Sequence, residues 1–271
     1  MIRFDSVSKE YAGGTTAVKD FSLIAPTGSI TVLVGSSGCG KTTLLRMVNR
    51  MVDPTSGSVF IDDTDVSLRN PVELRRSIGY VMQSGGLLPH KTVGDNIATV
   101  AKLRGVAKAQ RAIRVRELMA MVGLEPELAT RYPAQLSGGQ QQRVGVARAL
   151  FIDPNILLMD EPFGAVDPVV RAELQQELLA IQKRLAKTVL FVTHDIDEAF
   201  LLGDQVVILE SGGHVVQKGT PAEIMANPAS DFVEAFIGAN RGKRSLHLSG
   251  EDNTIVVDGA GRVAGRLDSG R

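Results

Sequence analysis

A glycine-rich segment near the amino terminus has the spacing of a phosphate-binding loop. It reads Gly35-Ser-Ser-Gly-Cys-Gly-Lys-Thr42 and follows a β-branched run that ends at Val34. In such a loop the backbone N–H groups surround a phosphate, the lysine reaches the β- and γ-phosphates, and the last hydroxyl lies on Mg²⁺. A plain glycine turn is the alternative, and the complete motif between a strand and a helix disfavours it. The expected nucleotide contacts are Gly35, Ser36, Ser37, Gly38, Cys39, Gly40, Lys41, Thr42 and Thr43.

Two carboxylates end a later apolar run. Residues 156–159 are Ile-Leu-Leu-Met, and Asp160 and Glu161 follow them. A carboxylate at the end of a buried strand is costly unless it is paired or metal-bound, so Asp160 is the candidate Mg²⁺ ligand. Neighbours on a strand point to opposite faces, which leaves Glu161 as the candidate general base for an attacking water. The alternative is a structural acid before the turn at Pro162.

Two further polar residues each follow a predicted strand. Gln83 comes after the strand at 78–82, and His194 comes after the strand at 188–193. Ligands of parallel sheets collect at this edge, so both are candidate site residues. Gln83 could bind Mg²⁺ or the attacking water through its amide. His194 could hold the γ-phosphate, which Lys41 also reaches, or orient the water. A histidine at a strand end is more often structural, but the phosphate loop raises the functional interpretation here.

A second glycine-rich segment has no lysine and is therefore not a second phosphate loop. It is Leu136-Ser137-Gly138-Gly139-Gln140, and a helix is predicted directly after it. Composition and spacing do not explain it by themselves.

The elements that must position these residues alternate between strands and helices. This order predicts an α/β fold with a largely parallel core sheet. The predicted strands are 2–4, 21–24, 29–34, 58–61, 78–82, 155–160, 188–193 and 205–209, and the predicted helices are 41–51, 93–122 with a break near Gly105, 139–150, 170–185 and 195–202.

Composition excludes several classes of protein. The 271 residues carry 30 basic and 30 acidic side chains, which argues against broad binding to nucleic acid. The single cysteine, Cys39, excludes an internal disulfide and a cysteine zinc cluster. The chain shows neither a signal-peptide pattern nor an apolar run of about 18 residues, so we expect it to stay in the cytoplasm. The basic residues between Lys102 and Arg116 are interpreted as a solvated helical face.

Taken together, residues 1 to 238 resemble the nucleotide-binding subunit of an ATP-binding-cassette (ABC) transporter. The phosphate loop, Gln83, the 136–140 segment, Asp160-Glu161, Ala165-Val-Asp167 and His194 match the motifs of that family in order and spacing. The resemblance implies that Tyr11 stacks on adenine with Val18 beside it. It also implies a P-loop NTPase core over residues 1–239, with an N-terminal antiparallel β subdomain and a helical subdomain inserted at about 84–150.

The same resemblance gives the 136–140 segment a role. In this family two subunits pack head to tail, and each ATP lies between the phosphate loop of one and Ser137, Gly138 and Gly139 of the other. Gln140 and Asp167 are expected beside that nucleotide. Glycines allow close backbone approach, and the helix that follows directs its positive end at the phosphate. The expected cofactors are ATP and Mg²⁺, and the expected first partner is a second copy of this chain.

The segments around Gln83, residues 162–168 and residues 192–199 resemble importers of quaternary amines such as glycine betaine, choline and carnitine. Importers of methionine, other amino acids or polyamines are the alternative, followed by a soluble ABC ATPase. The resemblance implies a membrane permease contacting Leu87 and Leu88, an extracytoplasmic solute-binding protein acting indirectly, and a location on the cytoplasmic face of the membrane. Residues 240–271 read as a linker and a β-rich or flexible tail, for which a vestigial regulatory module is one interpretation.

Overall fold

The computed structural model describes residues 1–83, 85–164, 166–238, 246–249, 254–258 and 263–267. The strands are β1 (Ile2–Tyr11), β2 (Thr15–Ala25), β3 (Ile30–Gly35), β4 (Ser56–Ile61), β5 (Thr64–Asp65), β6 (Gly79–Val81), β7 (Ile156–Asp160), β8 (Thr188–Thr193), β9 (Gln205–Glu210), β10 (His214–Gly219), β11 (Leu246–Ser249), β12 (Ile255–Asp258) and β13 (Val263–Arg266). The α-helices are α1 (Lys41–Val48), α2 (Pro71–Ser77), α3 (Val93–Ile97), α4 (Thr99–Leu103), α5 (Lys108–Met121), α6 (Gly138–Leu150), α7 (Pro168–Leu185), α8 (Ile196–Leu202), α9 (Pro221–Ala226) and α10 (Asp231–Phe236).

The central sheet has the strand order β10-β9-β3-β8-β7-β6. Strands β9, β3, β8, β7 and β6 pair in parallel, and β10 joins the edge of β9 in antiparallel orientation. Every residue of β3, β7 and β8 is buried, as expected for strands covered on both faces. The carboxyl ends of these parallel strands meet at one edge, which is where the phosphate loop, Asp160 and His194 follow them.

Two apolar cores lie on the two faces of this sheet. Alternate residues of one strand belong to different cores, as the two-residue period of a strand requires: Val32 faces one and Leu33 the other. The first core includes residues of α3, α5, α6, α7 and α8. The second packs α1 and the antiparallel sheet β2-β1-β4-β5 against the central sheet. These layers confirm the α/β class, the largely parallel sheet and the N-terminal antiparallel β subdomain.

Residues 93–121 form a helical segment on the chain between β6 and β7. The predicted break falls at Gly105, whose φ of 73° is in the left-handed region. A further boundary at Ala98, between α3 and α4, was not predicted, because both sides of it keep helical spacing. The predicted helix at 41–51 is shorter than expected and ends at Val48.

The N-terminal strands are much longer than the short strands predicted from the sequence. β1 and β2 form a hairpin with register shifts between Phe4 and Glu10, and these shifts interrupt the apolar–polar alternation. Strand β10 and helices α2, α9 and α10 were not predicted. The described part of the tail forms a separate antiparallel sheet in the order β11-β12-β13, and residues 239–245 and 268–271 lie outside the described residues.

Candidate nucleotide site

The phosphate loop connects β3 to α1 at the carboxyl edge of the central sheet. Gly38 and Gly40 adopt φ values of 82° and 107°, which side chains rarely tolerate. A Cβ on Gly40 would lie only 2.5 Å from the carbonyl oxygen of Ala17. The loop can therefore take this course beside β2 because position 40 has no side chain, and its N–H groups remain available at the start of α1.

A cavity of about 210 Å³ lies over this loop. Lys41 is only 4 % exposed, and its Nζ donates to the carbonyl oxygens of Gly35 and Ser36, each at 2.8 Å. The ammonium group of Lys41 therefore lies within the loop, bonded to its backbone. The residues that line the cavity are Ala17, Ser37, Gly38, Gly40, Lys41, Thr42, Thr43 and Glu161.

The aromatic residue expected beside adenine lies next to this loop. Tyr11, at the end of β1, is 42 % exposed, and its hydroxyl is 3.4 Å from that of Thr43. Val18 is different, because its side chain is completely buried against Gly40 and Gly213. Its neighbour Ala17 lines the cavity, and the role of Val18 beside the base stays a prediction.

The expected contact from Cys39 is limited to its backbone. Its side chain is 1 % exposed, and its sulfur lies 3.7 Å from Lys41 Nζ. Its carbonyl oxygen accepts a hydrogen bond from Gly213 N at 2.8 Å, which ties the loop to the segment before β10.

Asp160 lies behind the loop and is only 7 % exposed. Thr42 Oγ1 donates to its Oδ1 at 2.8 Å, and Tyr80 Oη donates to its Oδ2 at 3.2 Å. Arg46 approaches the same Oδ2 at 3.9 Å. Burial raises the pKa of the Tyr80 phenol, and the charge of Asp160 acts in the same direction, so this hydroxyl stays protonated and can donate.

Glu161, His194 and Gln83 come together at the mouth of the cavity. His194 Nδ1 lies 2.9 Å from Glu161 Oε2, and Gln83 Nε2 donates to the same oxygen at 3.3 Å. Asp160 and Glu161 therefore have separate partners, as the strand alternation predicted. Glu161 also has a φ of 44°, a left-handed conformation that is strained for this residue type.

The 136–140 segment does not reach this cavity within one chain. Ser137 caps α6: its Oγ accepts from Gln140 N, and the Gln140 side chain accepts from Ser137 N. Ser137 and Gly138 are exposed, whereas Gly139 is buried where a Cβ would lie 2.4 Å from Val170 Cγ1. Gly139 therefore has a packing role that sequence reasoning missed, and α6 begins beside the first turn of α7.

Asp167 is likewise separate from the cavity lining. Its carboxylate caps α7 by accepting from Val170 N at 3.1 Å. Ala165, in the same motif, lies outside the described residues.

Sequence reasoning missed the residues that hold the site residues in place. Arg46 is four residues after Thr42, so both lie on one face of α1, and this spacing could have indicated that Arg46 lies near the site. No sequence pattern indicates Tyr80, because its contact with Asp160 depends on β6 lying beside β7. Arg148 donates to the carbonyls of Gly86 and Gly85 at 2.7 and 2.6 Å, which only the fold reveals.

A family model described as "ABC transporter" matches residues 18–164. The chain belongs to the ABC transporter family. It is 51 % identical to the glycine betaine/carnitine/choline transport ATP-binding protein OpuCA of Bacillus subtilis over 89 % of this chain and 63 % of that protein. It is 50 % identical to the glycine betaine uptake system ATP-binding protein YehX of Escherichia coli over 92 % of this chain and 80 % of that protein.

Solved structures agree with this family assignment. The dimeric structure of the ATP-binding cassette MJ0796 bound to ADP and Pi matches with a TM-score of 0.74 and 34 % identity. The match covers 82 % of this chain and 99 % of that one. The predicted P-loop NTPase fold is therefore confirmed.

The chain spans only 60 to 63 % of the lengths of the first curated relatives. Within the described ranges, no helix is both long and apolar enough to cross a bilayer.

Proposed function

We propose that this chain is the ATP-hydrolysing motor of an importer for quaternary amines. The observation that carries the proposal is that two clusters of polar side chains meet at the cavity over the phosphate loop. Thr42 and Asp160 meet on its inner side, and Glu161 with His194 and Gln83 meets at its mouth. This is the arrangement expected where a nucleotide is held on one side and a water is activated on the other.

The donor set on the inner side fits Mg²⁺. Mg²⁺ prefers oxygen ligands and is usually held by one or two carboxylates together with substrate phosphates. Asp160 supplies the carboxylate and Thr42 a hydroxyl, and Gln83 can add its amide oxygen from the mouth of the cavity. No group of three or more His, Cys, Asp or Glu side chains in the described ranges could hold an ion without a substrate. When bound, Mg²⁺ would neutralise charge on the β- and γ-phosphates.

The residues at the mouth divide the chemistry between them. Glu161 takes a proton from the attacking water as general base. His194 contacts the Glu161 carboxylate through Nδ1, and in its imidazolium form, in which both ring nitrogens donate, it can hold the γ-phosphate through Nε2 as well. Lys41 supplies positive charge from within the loop, and Gln83 orients the water or the metal through its amide. The partners of Glu161, His194 and Gln83 in this fold support these proposed roles.

The exposed start of α6 supports a head-to-tail dimer. Ser137 and Gly138 present a helix N-terminus that contacts no part of the cavity lining in its own chain. A helix N-terminus favours an anion, and the phosphates bound to a second copy provide one. We propose that two ATP molecules are enclosed in this way, with Gln140 and Asp167 beside them, so that binding closes the dimer and hydrolysis releases it.

The relatives support a proposal for the cargo and the location. The curated relatives described above are named for transport of glycine betaine, carnitine and choline. We propose the same solute class here, a permease partner that contacts the segment after Gln83, and indirect delivery by an extracytoplasmic solute-binding protein. The motor would act on the cytoplasmic face of the membrane without contacting nucleic acid.

The domain boundaries form part of the same proposal. The ATPase domain runs over 1–239, with the helical subdomain inserted at about 84–150. The paired strands β11 to β13 support a separate small unit in 240–271. Its derivation from a regulatory module stays a prediction.

Uptake in cells tests the proposal. Cells lacking this gene should lose uptake of labelled glycine betaine, choline or carnitine. The wild-type gene should restore it, and a Lys41→Ala copy should not. Loss of methionine or polyamine uptake instead would contradict the cargo assignment. Unchanged uptake of every solute, combined with ATPase stimulation by RNA or DNA, would contradict the transport function.

A further inference from the structure

The Asp160 carboxylate is held from two directions, and only one of them belongs to the phosphate loop. Its Oδ1 accepts the hydroxyl of Thr42, the candidate metal ligand on α1. Its Oδ2 accepts the hydroxyl of Tyr80 on β6 and lies 3.9 Å from the guanidinium of Arg46. The two oxygens therefore have distinct partners, and the carboxylate cannot rotate without losing hydrogen bonds.

Tyr80 and Arg46 both reach the Oδ2 atom of Asp160. Tyr80 donates its hydroxyl proton to this oxygen, and the Arg46 guanidinium lies 3.9 Å from it. Arg46 is half exposed, with 48 % of its side chain accessible, whereas Asp160 retains only 10 %. The arginine thus reaches in from the surface while the carboxylate stays buried, so the charge of Asp160 is compensated from behind the site.

Packing alone does not account for the tyrosine at position 80. Its ring packs against the apolar core beneath the N-terminal sheet, and a phenylalanine would fill the same space. The hydroxyl adds a donor directed at one oxygen of the candidate metal ligand. Tyr80 also lies three residues before Gln83, so one short segment touches Asp160 and then supplies the amide at the cavity mouth.

We propose that Tyr80 and Arg46 are positioning residues that fix the rotamer of Asp160 and thereby set the affinity of the site for Mg²⁺. The proposal rests on the proposed function, in which Asp160 and Thr42 hold the metal of a bound Mg–ATP. Both residues act through Asp160, and neither touches the nucleotide. Their loss should weaken the metal step and leave metal-free nucleotide binding intact.

Metal titration of the full chain, made inactive by Glu161→Gln, tests this inference without turnover. Mn²⁺ binding in the presence of ATP is followed by electron paramagnetic resonance, and ATP binding in EDTA is measured separately. Tyr80→Phe should weaken Mn²⁺ binding about 2- to 13-fold, the range that the net contribution of one hydrogen bond predicts. Arg46→Gln should change it in the same direction. Neither should alter ATP affinity in EDTA.

Two further variants separate the possible failures. Tyr132→Phe removes a hydroxyl from an exposed tyrosine and should match the parent in every measurement. Asp160→Asn should remove most of the metal dependence. If Asp160→Asn does so while Tyr80→Phe and Arg46→Gln titrate like the parent, the inference is wrong and the proposed function stands. If Asp160→Asn also titrates like the parent, the metal role in the proposed function is wrong. A lower melting temperature for Tyr80→Phe with unchanged Mn²⁺ affinity would show a merely structural role.

Discussion

At the scale of single residues, Glu161 has a strained backbone conformation at the site. Its left-handed φ of 44° is stabilised by its N–H donating to Val192 O at 2.9 Å and by the pairing of its carboxylate with His194. Strained conformations persist where the surrounding structure enforces them, and they concentrate at functional sites. The strain directs the Glu161 side chain to the cavity while the preceding Asp160 points inward.

We expect Glu161→Gln to lower the ATPase rate by about 10²- to 10⁴-fold, the usual contribution of a general base. ATP binding should be unchanged, since the phosphate loop remains intact. His194→Ala should also lower the rate, because Glu161 loses its partner. Steady-state hydrolysis and equilibrium ATP binding check both. His90→Ala, at an exposed histidine outside the site, is the matched control, and an equal loss there would contradict the assignment.

The residues of the site were predictable to the extent that they belong to local motifs. The phosphate loop, and the pair Asp160 and Glu161, could each be predicted from the residue types and spacing within one short segment. Tyr80 does not, because its contact with Asp160 exists only once β6 pairs with β7. The buried position of Val18 likewise depends on how β2 packs against the loop.

At the scale of elements, α6 connects the 136–140 segment to the segment that follows Gln83. It begins at the exposed 137–138 turn, and near its other end Arg148 donates to the carbonyl oxygens of Gly86 and Gly85. A helix between these two places gives a physical route by which a contact at one could affect the other.

Arg148→Ala should lower the free energy of unfolding by about 1–3 kcal/mol, since two carbonyls would lose a charged donor in a partly buried setting. Urea unfolding of the purified chain measures this. Arg114→Ala is the control, because Arg114 makes only a surface pair with Glu117 at 2.9 Å, and such pairs contribute about 0–1 kcal/mol. Equal effects of the two substitutions would contradict the role given to Arg148.

The packing of α8 against α7 includes a buried acid. Glu198 is 6 % exposed and accepts a hydrogen bond from Gln175 at 2.9 Å. Burial raises the pKa of Glu198 despite this bond, so its contribution to stability is fully present below the ordinary glutamate range. That contribution is lost as the pH rises through the raised pKa of the folded state.

Glu198→Gln should therefore be more stable than the wild type at neutral pH, and the difference should vanish in acid. Thermal unfolding across pH measures it. Glu223→Gln is an opposite-sign control, because hydrogen bonds from Thr220 lower the pKa of Glu223 and its contribution is lost as the pH falls. A Glu198→Gln variant that is less stable at every pH would contradict the prediction.

The elements themselves were predictable where a strand is buried on both faces. The apolar runs of β7 and β8 give their bounds to within a residue, because such strands are continuously apolar. The bounds of β1 and β2 could not be predicted in this way, because their bulges break the apolar–polar alternation and many of their residues face solvent. Short helices such as α2 and α10 lack enough turns to show a period.

At the scale of the whole molecule, the proposed active site needs parts that lie in two places on one copy of the chain. The cavity and its carboxylates lie at the edge of the central sheet, and the exposed N-terminus of α6 lies elsewhere on the surface. The MJ0796 cassette, similar over most of this chain, forms a dimer with ADP and Pi. Only the family resemblance predicted a contact between the 137–138 turn and a nucleotide, because the proposed contact needs a second chain and the spacing within one chain does not indicate it.

Sedimentation velocity of the Glu161→Gln variant tests this account most directly. We predict that ATP shifts the variant from one copy to two, and that adding Gly138→Leu abolishes the shift while leaving ATP binding to the single copy unchanged. Gly138 is exposed and has no left-handed φ, so the substitution should not disturb the fold. Ala112→Leu, at an exposed position on α5, should dimerise like the parent. A Glu161→Gln variant that stays monomeric in saturating ATP, or a Gly138→Leu variant that still dimerises, would contradict the account.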